Sequence, residues 1–135
     1  MAKDDFEKLA HFRYQLRRFL RFSEEATRSN GVTELQYLLL LQIKGYPGRE
    51  WATIGELAER LQAQQHGVVS LVSRCESAGL VRRTLSRTDR RRVEVKLTQR
   101  GDACLNRLAR LHRHELSLLK GAFFVPVWTT ADPER

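Results

Sequence analysis

Apolar residues along the chain recur at spacings that predict a series of helices and one hairpin. Over residues 5–29, Leu9, Phe12, Leu16, Phe19 and Ala26 fall at helical spacing and make one apolar stripe. Arg13, Arg17, Arg18, Arg21 and Arg28 lie mostly off that stripe, and Ser29-Asn30-Gly31 ends the helix, with Gly31 suited to a left-handed cap. A helix this long and this exposed needs something to pack on, for which a partner subunit is a candidate. Thr33 opens a second helix, because Thr33 and Gln36 can each satisfy a free amide of the first turn. Leu35 through Ile43 is apolar nearly all round, which predicts a central core helix, stopped by Gly45-Tyr46-Pro47-Gly48. A third helix is predicted over 51–61, with Thr53 and Glu56 as a second capping box and Ile54, Leu57, Ala58 and Leu61 facing inward. After a break at Gln62-Ala63, a fourth is predicted over 64–78, with Val68, Leu71, Val72 and Cys75 as its buried side.

The period then changes. Val93, Val95 and Leu97 alternate with Glu94 and Lys96, the period-2 pattern of a strand with one face on a core. Val81–Leu85 is the expected partner strand, and Ser86-Arg87-Thr88-Asp89 supplies the turn. Thr98 N-caps a last helix whose stripe is Leu105, Leu108, His112, Leu116 and Leu119. His112 on that stripe reads as a packed residue; it and His114 point to different faces and make a poor metal pair. The tail Phe123-Phe124-Val125-Pro126-Val127-Trp128 is too apolar to be left in water and is expected to pack on the first helix or on a second copy of the chain. The fold class is therefore mostly α with a small β-hairpin.

Charge sharpens this picture. Residues 80–100 hold Arg82, Arg83, Arg87, Arg90, Arg91, Arg92, Arg100 and Lys96 against Asp89 and Glu94, which is most of the chain's net +8. A hairpin that concentrates the positive charge is a device for reaching a polyanion, where an isolated solvated loop would be the plainer reading. The sequence pI of about 10.2 favours nucleic acid first and an anionic membrane second. At 135 residues and 41% hydrophobic, the chain suits one domain with a modest core. No run approaches the ~18 apolar residues of a membrane span, and no leader-like stretch opens the chain, so a cytoplasmic location is expected. Cys75 and Cys104 make neither a zinc site nor a disulfide framework, and Cys75 continues a buried series as an inert thiol. No nucleophile beside a base, phosphate loop or carboxylate pair appears, which argues against an enzyme and against a cofactor.

The outer side of the fourth helix carries Gln64, Gln65, His66, Ser70, Ser73 and Arg74, in place of the Glu/Lys mixture usual on a solvated face. Gln and Ser can bond base edges in the major groove. Two short helices joined by a tight turn, the second with such a face, followed at once by a basic hairpin, make a winged helix-turn-helix.

Leu57-Ala58-x-x-Leu61, Gly79-Leu80-Val81-Arg82-Arg83 and above all Thr88-Asp89-Arg90-Arg91-Arg92-Val93-Glu94-Val95-Lys96-Leu97-Thr98-Gln99-Arg100-Gly101 resemble the MarR family of bacterial transcriptional regulators. The resemblance covers residues 5 to about 120. It implies a homodimer on a pseudo-palindromic double-stranded operator, with residues 1–32 and 101–135 as dimerisation segments around a 33–100 winged helix-turn-helix, in one compact domain. It implies that residues 64–74 enter the major groove. Arg91 at the wing tip, with Arg87 and Arg90 beside it, would enter the minor groove, its guanidinium held by Asp89. Members commonly repress and are released by a small aromatic or phenolic anion bound between the dimer helices and the winged lobe. His11, Tyr14, Gln15, Arg18 and Trp51 are the candidates for that pocket, against a plain packing role for Tyr14 and Trp51 and solvation for Arg18. Gln64-Gln65-His66-Gly67 stands where the family often has Ser, so operator preference does not carry over. The cysteine of the redox-sensing branch and the ligand cluster of the zinc-sensing branch are not found. The competing function is a winged-helix protein-interaction module without DNA readout, which would favour acidic and apolar residues on the outer face.

Overall fold

The computed structural model describes residues 1–119 and 125–128. Along the chain run α1 (Lys3–Ser29), α2 (Glu34–Lys44), β1 (Trp51–Thr53), α3 (Ile54–Leu61), α4 (Gln65–Ser77), β2 (Val81–Leu85), β3 (Val93–Leu97) and α5 (Gln99–Leu118). Threonine fixes where three of these helices begin: Thr33, Thr53 and Thr98 each accept an amide hydrogen bond from the residue three further on, Gln36, Glu56 and Gly101. In the first two, the Gln36 and Glu56 side chains bond back to the threonine amide, at 2.9 Å each.

One expectation fails here. The third helix does not start at Trp51: Trp51–Thr53 is a strand, and helix begins at Ile54. The reason lies in the capping box itself, since an N-cap residue has extended backbone and what precedes it lies outside the helix. The extended segment then pairs antiparallel with β3, Trp51 opposite Lys96, Ala52 opposite Val95 and Thr53 opposite Glu94. The expected two-stranded hairpin is thus a three-stranded sheet in the order β1-β3-β2, with β3 in the middle. The alternation survives: Ala52 and Val95 are fully buried on the inner face, where Val81 and Leu97 also pair.

The core is Leu39, Leu40 and Ile43 of α2 against Leu57 of α3, Val68, Leu71, Val72 and Cys75 of α4, Val81 and Val95 of the sheet, and Leu105 and Leu108 of α5. Each such aliphatic side chain contributes about 1.5–3 kcal/mol of transfer free energy. α2 is central as expected, although Leu35 at its start is exposed.

A seam of backbone contacts joins the sheet to α5. Thr98 N–H donates to the Leu80 carbonyl at 3.0 Å, and Thr98 Oγ1 donates to the Gly79 carbonyl at 2.6 Å. A Cβ placed on Gly101 would lie 2.0 Å from the Leu80 oxygen, so only glycine lets the helix lie this close. This is the physical content of the Leu-Thr-x-x-Gly run: a cap, a strand-end bond and a contact no side chain can enter.

The terminal helices are less complete. Of the α1 stripe, Ala26 is buried, Phe12, Leu16 and Phe19 are half-buried and Leu9 is exposed. Along α5, Leu105, Leu108 and His112 are buried, whereas Leu116 is exposed. Gly31 follows α1 at φ 78, the left-handed position expected of it. Of the tail, Phe123 and Phe124 lie outside the described residues; Val125 and Val127 expose their side chains, and Lys8 of α1 donates to the Val127 carbonyl at 3.0 Å.

Candidate nucleic-acid interface

α4 divides cleanly into two sides. Val68, Leu71, Val72 and Cys75 face the core, while Gln64, Gln65, His66, Ser70 and Arg74 are exposed. Gln64 is the N-cap residue but its side chain makes no capping bond, so its amide is free to point outward. Ser73 is the exception: Arg83 of β2 donates to its hydroxyl at 2.8 Å and pairs with Glu76 at 3.0 Å, clamping the sheet to the C-terminal half of α4. Backbone and side-chain bonds from Arg83 hold the Glu76 carboxyl below its ordinary range. The sequence reading missed Val69. It is 42% exposed between the polar positions, and the spacing of Gln65, Val69 and Ser73 at i, i+4 and i+8 would have put it on the outer face. Leu85 on the wing is likewise exposed and was not singled out.

The wing tip is a closed loop built on two short side chains. Ser86 N–H donates to the Arg92 carbonyl at 2.9 Å, and Ser86 Oγ, buried at the root, accepts from the Thr88 and Asp89 amides and from Arg92 Nη2, at 3.2 Å each. Asp89 Oδ1 accepts the Arg91 amide at 3.0 Å and lies 3.6 Å from Arg91 Nε. The carboxylate therefore holds the backbone of Arg91 by a hydrogen bond, while its hold on the guanidinium is a longer, exposed ion pair of the kind worth ~0–1 kcal/mol. Arg91's side chain is 95% exposed, and Arg87 and Arg90 are exposed beside it. The tip thus presents three guanidinium groups on a fixed backbone.

The residues considered for an effector pocket separate into two places. His11, Tyr14, Gln15 and Arg18 lie on α1, where the Arg18 guanidinium sits 5.6 Å from the Tyr14 ring centre and Gln15 is buried with its Oε1 lacking a hydrogen-bond partner. His11 lines a recess of about 380 Å³ with Asp4, Glu7, Lys8, Phe12, Pro126 and Val127. Trp51 stands on β1, its ring against Arg49 at 3.8 Å and Arg92 at 5.0 Å. Nearby, burial pushes the Glu56 carboxyl up, but bonds from the Thr53 backbone, Arg49, the Thr53 hydroxyl and Tyr46 outweigh it and leave it below its ordinary range.

His112 is tied into the interior. Its Nδ1 lies 2.7 Å from the Leu108 carbonyl and its Nε2 2.7 Å from Ser23 Oγ, which donates to Glu34 at 2.6 Å; its ring stacks on Tyr37 at 4.5 Å. It joins α5 to α1 and α2. Burial pushes the Cys75 thiol up to about 11, so it stays protonated and unreactive near neutral pH. Among the described residues no group of three or more His, Cys, Asp or Glu is placed to hold a metal, and no helix is long and apolar enough to cross a membrane.

Comparison with known proteins agrees with this geometry. A MarR family model matches residues 30–92. The HTH-type transcriptional repressor MdtR of Bacillus subtilis (strain 168) is 31% identical over 78 residues, 58% of this chain and 48% of that protein, so the chain spans about half the length of that relative. AbsC, a MarR family transcriptional regulator from Streptomyces coelicolor, superposes with a TM-score of 0.75 at 22% identity, over 90% of this chain and 84% of that one. A mutant MarR from E. coli, solved in complex with operator DNA, superposes with a TM-score of 0.66 at 26% identity, over 75% and 70% of the two chains. Over residues 30–92 this chain is similar to the MarR family, and its order of helices and sheet, with a wing that returns through Thr98 into α5, is the fold of the MarR family structures on which it superposes.

Proposed function

We propose that this protein binds double-stranded DNA as a homodimer and regulates transcription, as a repressor released by a small aromatic or phenolic anion. The observation that carries the reading is the pairing, on one lobe, of an α4 face free of internal bonds at Gln64, Gln65, His66 and Ser70 with a wing tip that exposes Arg87, Arg90 and Arg91. Gln65 and Ser70 read base edges in the major groove, and exposed Val69 meets a thymine methyl. Arg91 enters the minor groove, where narrowing strengthens the negative potential. The E. coli relative was solved on operator DNA and the Bacillus relative is described as a repressor, which supports both halves of the proposal. The buried, unpartnered Gln15 Oε1 beside the Tyr14–Arg18 pair supports α1 as one wall of the effector site, with His11 along it.

Two substitutions separate the roles. Gln65→Ala changes the ranking of operator variants and costs about 1–3 kcal/mol on a site whose base it bonds. Arg91→Ala weakens binding to many sequences alike and lowers the salt dependence. Binding titrations on a panel of duplexes measure both. If Arg91→Ala leaves every affinity unchanged, the wing does not touch DNA.

A further inference from the structure

A stack of cations and rings runs from α3 past the edge strand β1 to the wing. Arg60 of α3 lies 4.9 Å from the Tyr46 ring centre, and Arg49 lies 4.2 Å from the same ring and 3.8 Å from that of Trp51. Arg92 lies 5.0 Å from Trp51. Cation and ring thus alternate from the first helix of the helix-turn-helix, through the loop after α2 and the edge strand β1, to the base of the wing tip. Its members are tied at both ends. Glu56 of α3 pairs with Arg49 and accepts from Tyr46 Oη at 3.2 Å. Arg92 donates to Ser86, the root of the tip loop, at 3.2 Å and lies 3.4 Å from Glu94. The carboxylates offset the repulsion between successive guanidinium groups, and each ring face attracts the cation over it.

The tip needs such a tie. Residues 86–92 extend past the last paired positions of β2 and β3, and β1 reaches only as far as Glu94, so core packing does not set the angle of the tip. We propose that Arg60, Tyr46, Arg49, Trp51 and Arg92 form a strut that fixes the wing tip relative to the helix-turn-helix, making them positioning residues for DNA binding. The proposal rests on the DNA reading above. It assigns Trp51 a different task from effector contact, and it assigns Arg92 a different task from its neighbours Arg90 and Arg91: Arg92 lies against Trp51 and Ser86 while they are exposed.

The test uses the full chain and two readouts. Without DNA, hydrogen exchange is followed at the Ser86 and Arg92 amides, both bonded within the tip. Trp51→Leu and Arg49→Met should each speed exchange there by about fivefold or more, the loss of roughly one cation–π contact, while amides of α2 and α4 keep their protection. Trp51→Phe, which keeps an aromatic face, should restore most of it. With duplex DNA, Trp51→Leu should weaken binding about fivefold in the parent chain and less than about twofold in an Arg91→Ala background, because the strut acts through the wing. Unchanged tip exchange in both variants overturns the strut whatever happens with DNA. Faster exchange with additive losses beside Arg91→Ala overturns the positioning role, since the stack would then touch DNA independently. Should Arg91→Ala alone be silent on DNA, the wing reading falls, and the exchange data decide the strut by themselves.

Discussion

The winged lobe and the two terminal helices solve their hydrophobic problem differently. In the lobe, α2, α3, α4 and the sheet close on one another, and the inward faces of Leu40, Leu57, Val72 and Val95 are fully covered by the chain itself. Along α1 and α5 apolar surface is only partly covered: Ala26, Leu105 and Leu108 are buried, while Leu9 and Leu116 on the stripes and Phe6, Leu20, Leu111 and Leu118 off them are exposed. A lobe whose inward faces are covered can be presented as a rigid unit to a ligand. Helices left apolar over a turn or more call for a second copy, and this contrast supports the dimer proposed above.

The largest effect should come from attacking the closure of the lobe. Gly101→Ala forces a Cβ into the Leu80 carbonyl, and backbone must shift because neither atom belongs to a flexible side chain. A loss of about 1–3 kcal/mol or more is expected in a urea melt. A melt midpoint equal to that of the parent would mean the α5 seam is looser than drawn. Next comes the incomplete region. Leu116→Asp, at an exposed position on α5, should shift the protein toward monomer in sedimentation at micromolar concentration while far-ultraviolet dichroism stays native, because the lobe does not need that residue. Retention of a dimer would place the interface elsewhere.

The smallest effect concerns acid. Glu56 has its carboxyl held below its ordinary 4.5, so its contribution to stability is present above that value and fades as pH falls through the lower folded value. Glu76 behaves in the same direction from a more exposed position. Unfolding midpoints from about pH 6 down to about pH 3 should decline less steeply in Glu56→Gln than in the parent. Parallel declines would show that the Arg49–Glu56–Tyr46 group carries no pH-linked stability.

The contrast also explains what the sequence made legible. Helix starts at Thr33 and Thr98 could be read because a capping threonine is a local signal, and the β3 alternation because one face meets a core. Trp51 was misread for the opposite reason: three residues at a sheet edge carry too short a pattern to declare a period, and their pairing with β3 is a long-range event. The polar face of α4 and the arginines of the tip were legible as composition. The clamp of Arg83 on Ser73, the buried Ser86 root and the stacking of Trp51 on Arg49 and Arg92 depend on which strand lies beside which, and no local signal carries that. Exposed Val69 lies four residues after Gln65, so helical spacing alone marks it as part of the outer face.

The central claim is that a basic wing and an open α4 face meet a duplex together. It is tested most directly by equilibrium binding to double-stranded DNA across a salt series. The account predicts tight binding at low ionic strength and a straight, steep fall of log affinity with log salt, shallower by about one ion in Arg91→Ala. Failure to bind any duplex at low salt, or an affinity indifferent to salt, would contradict it.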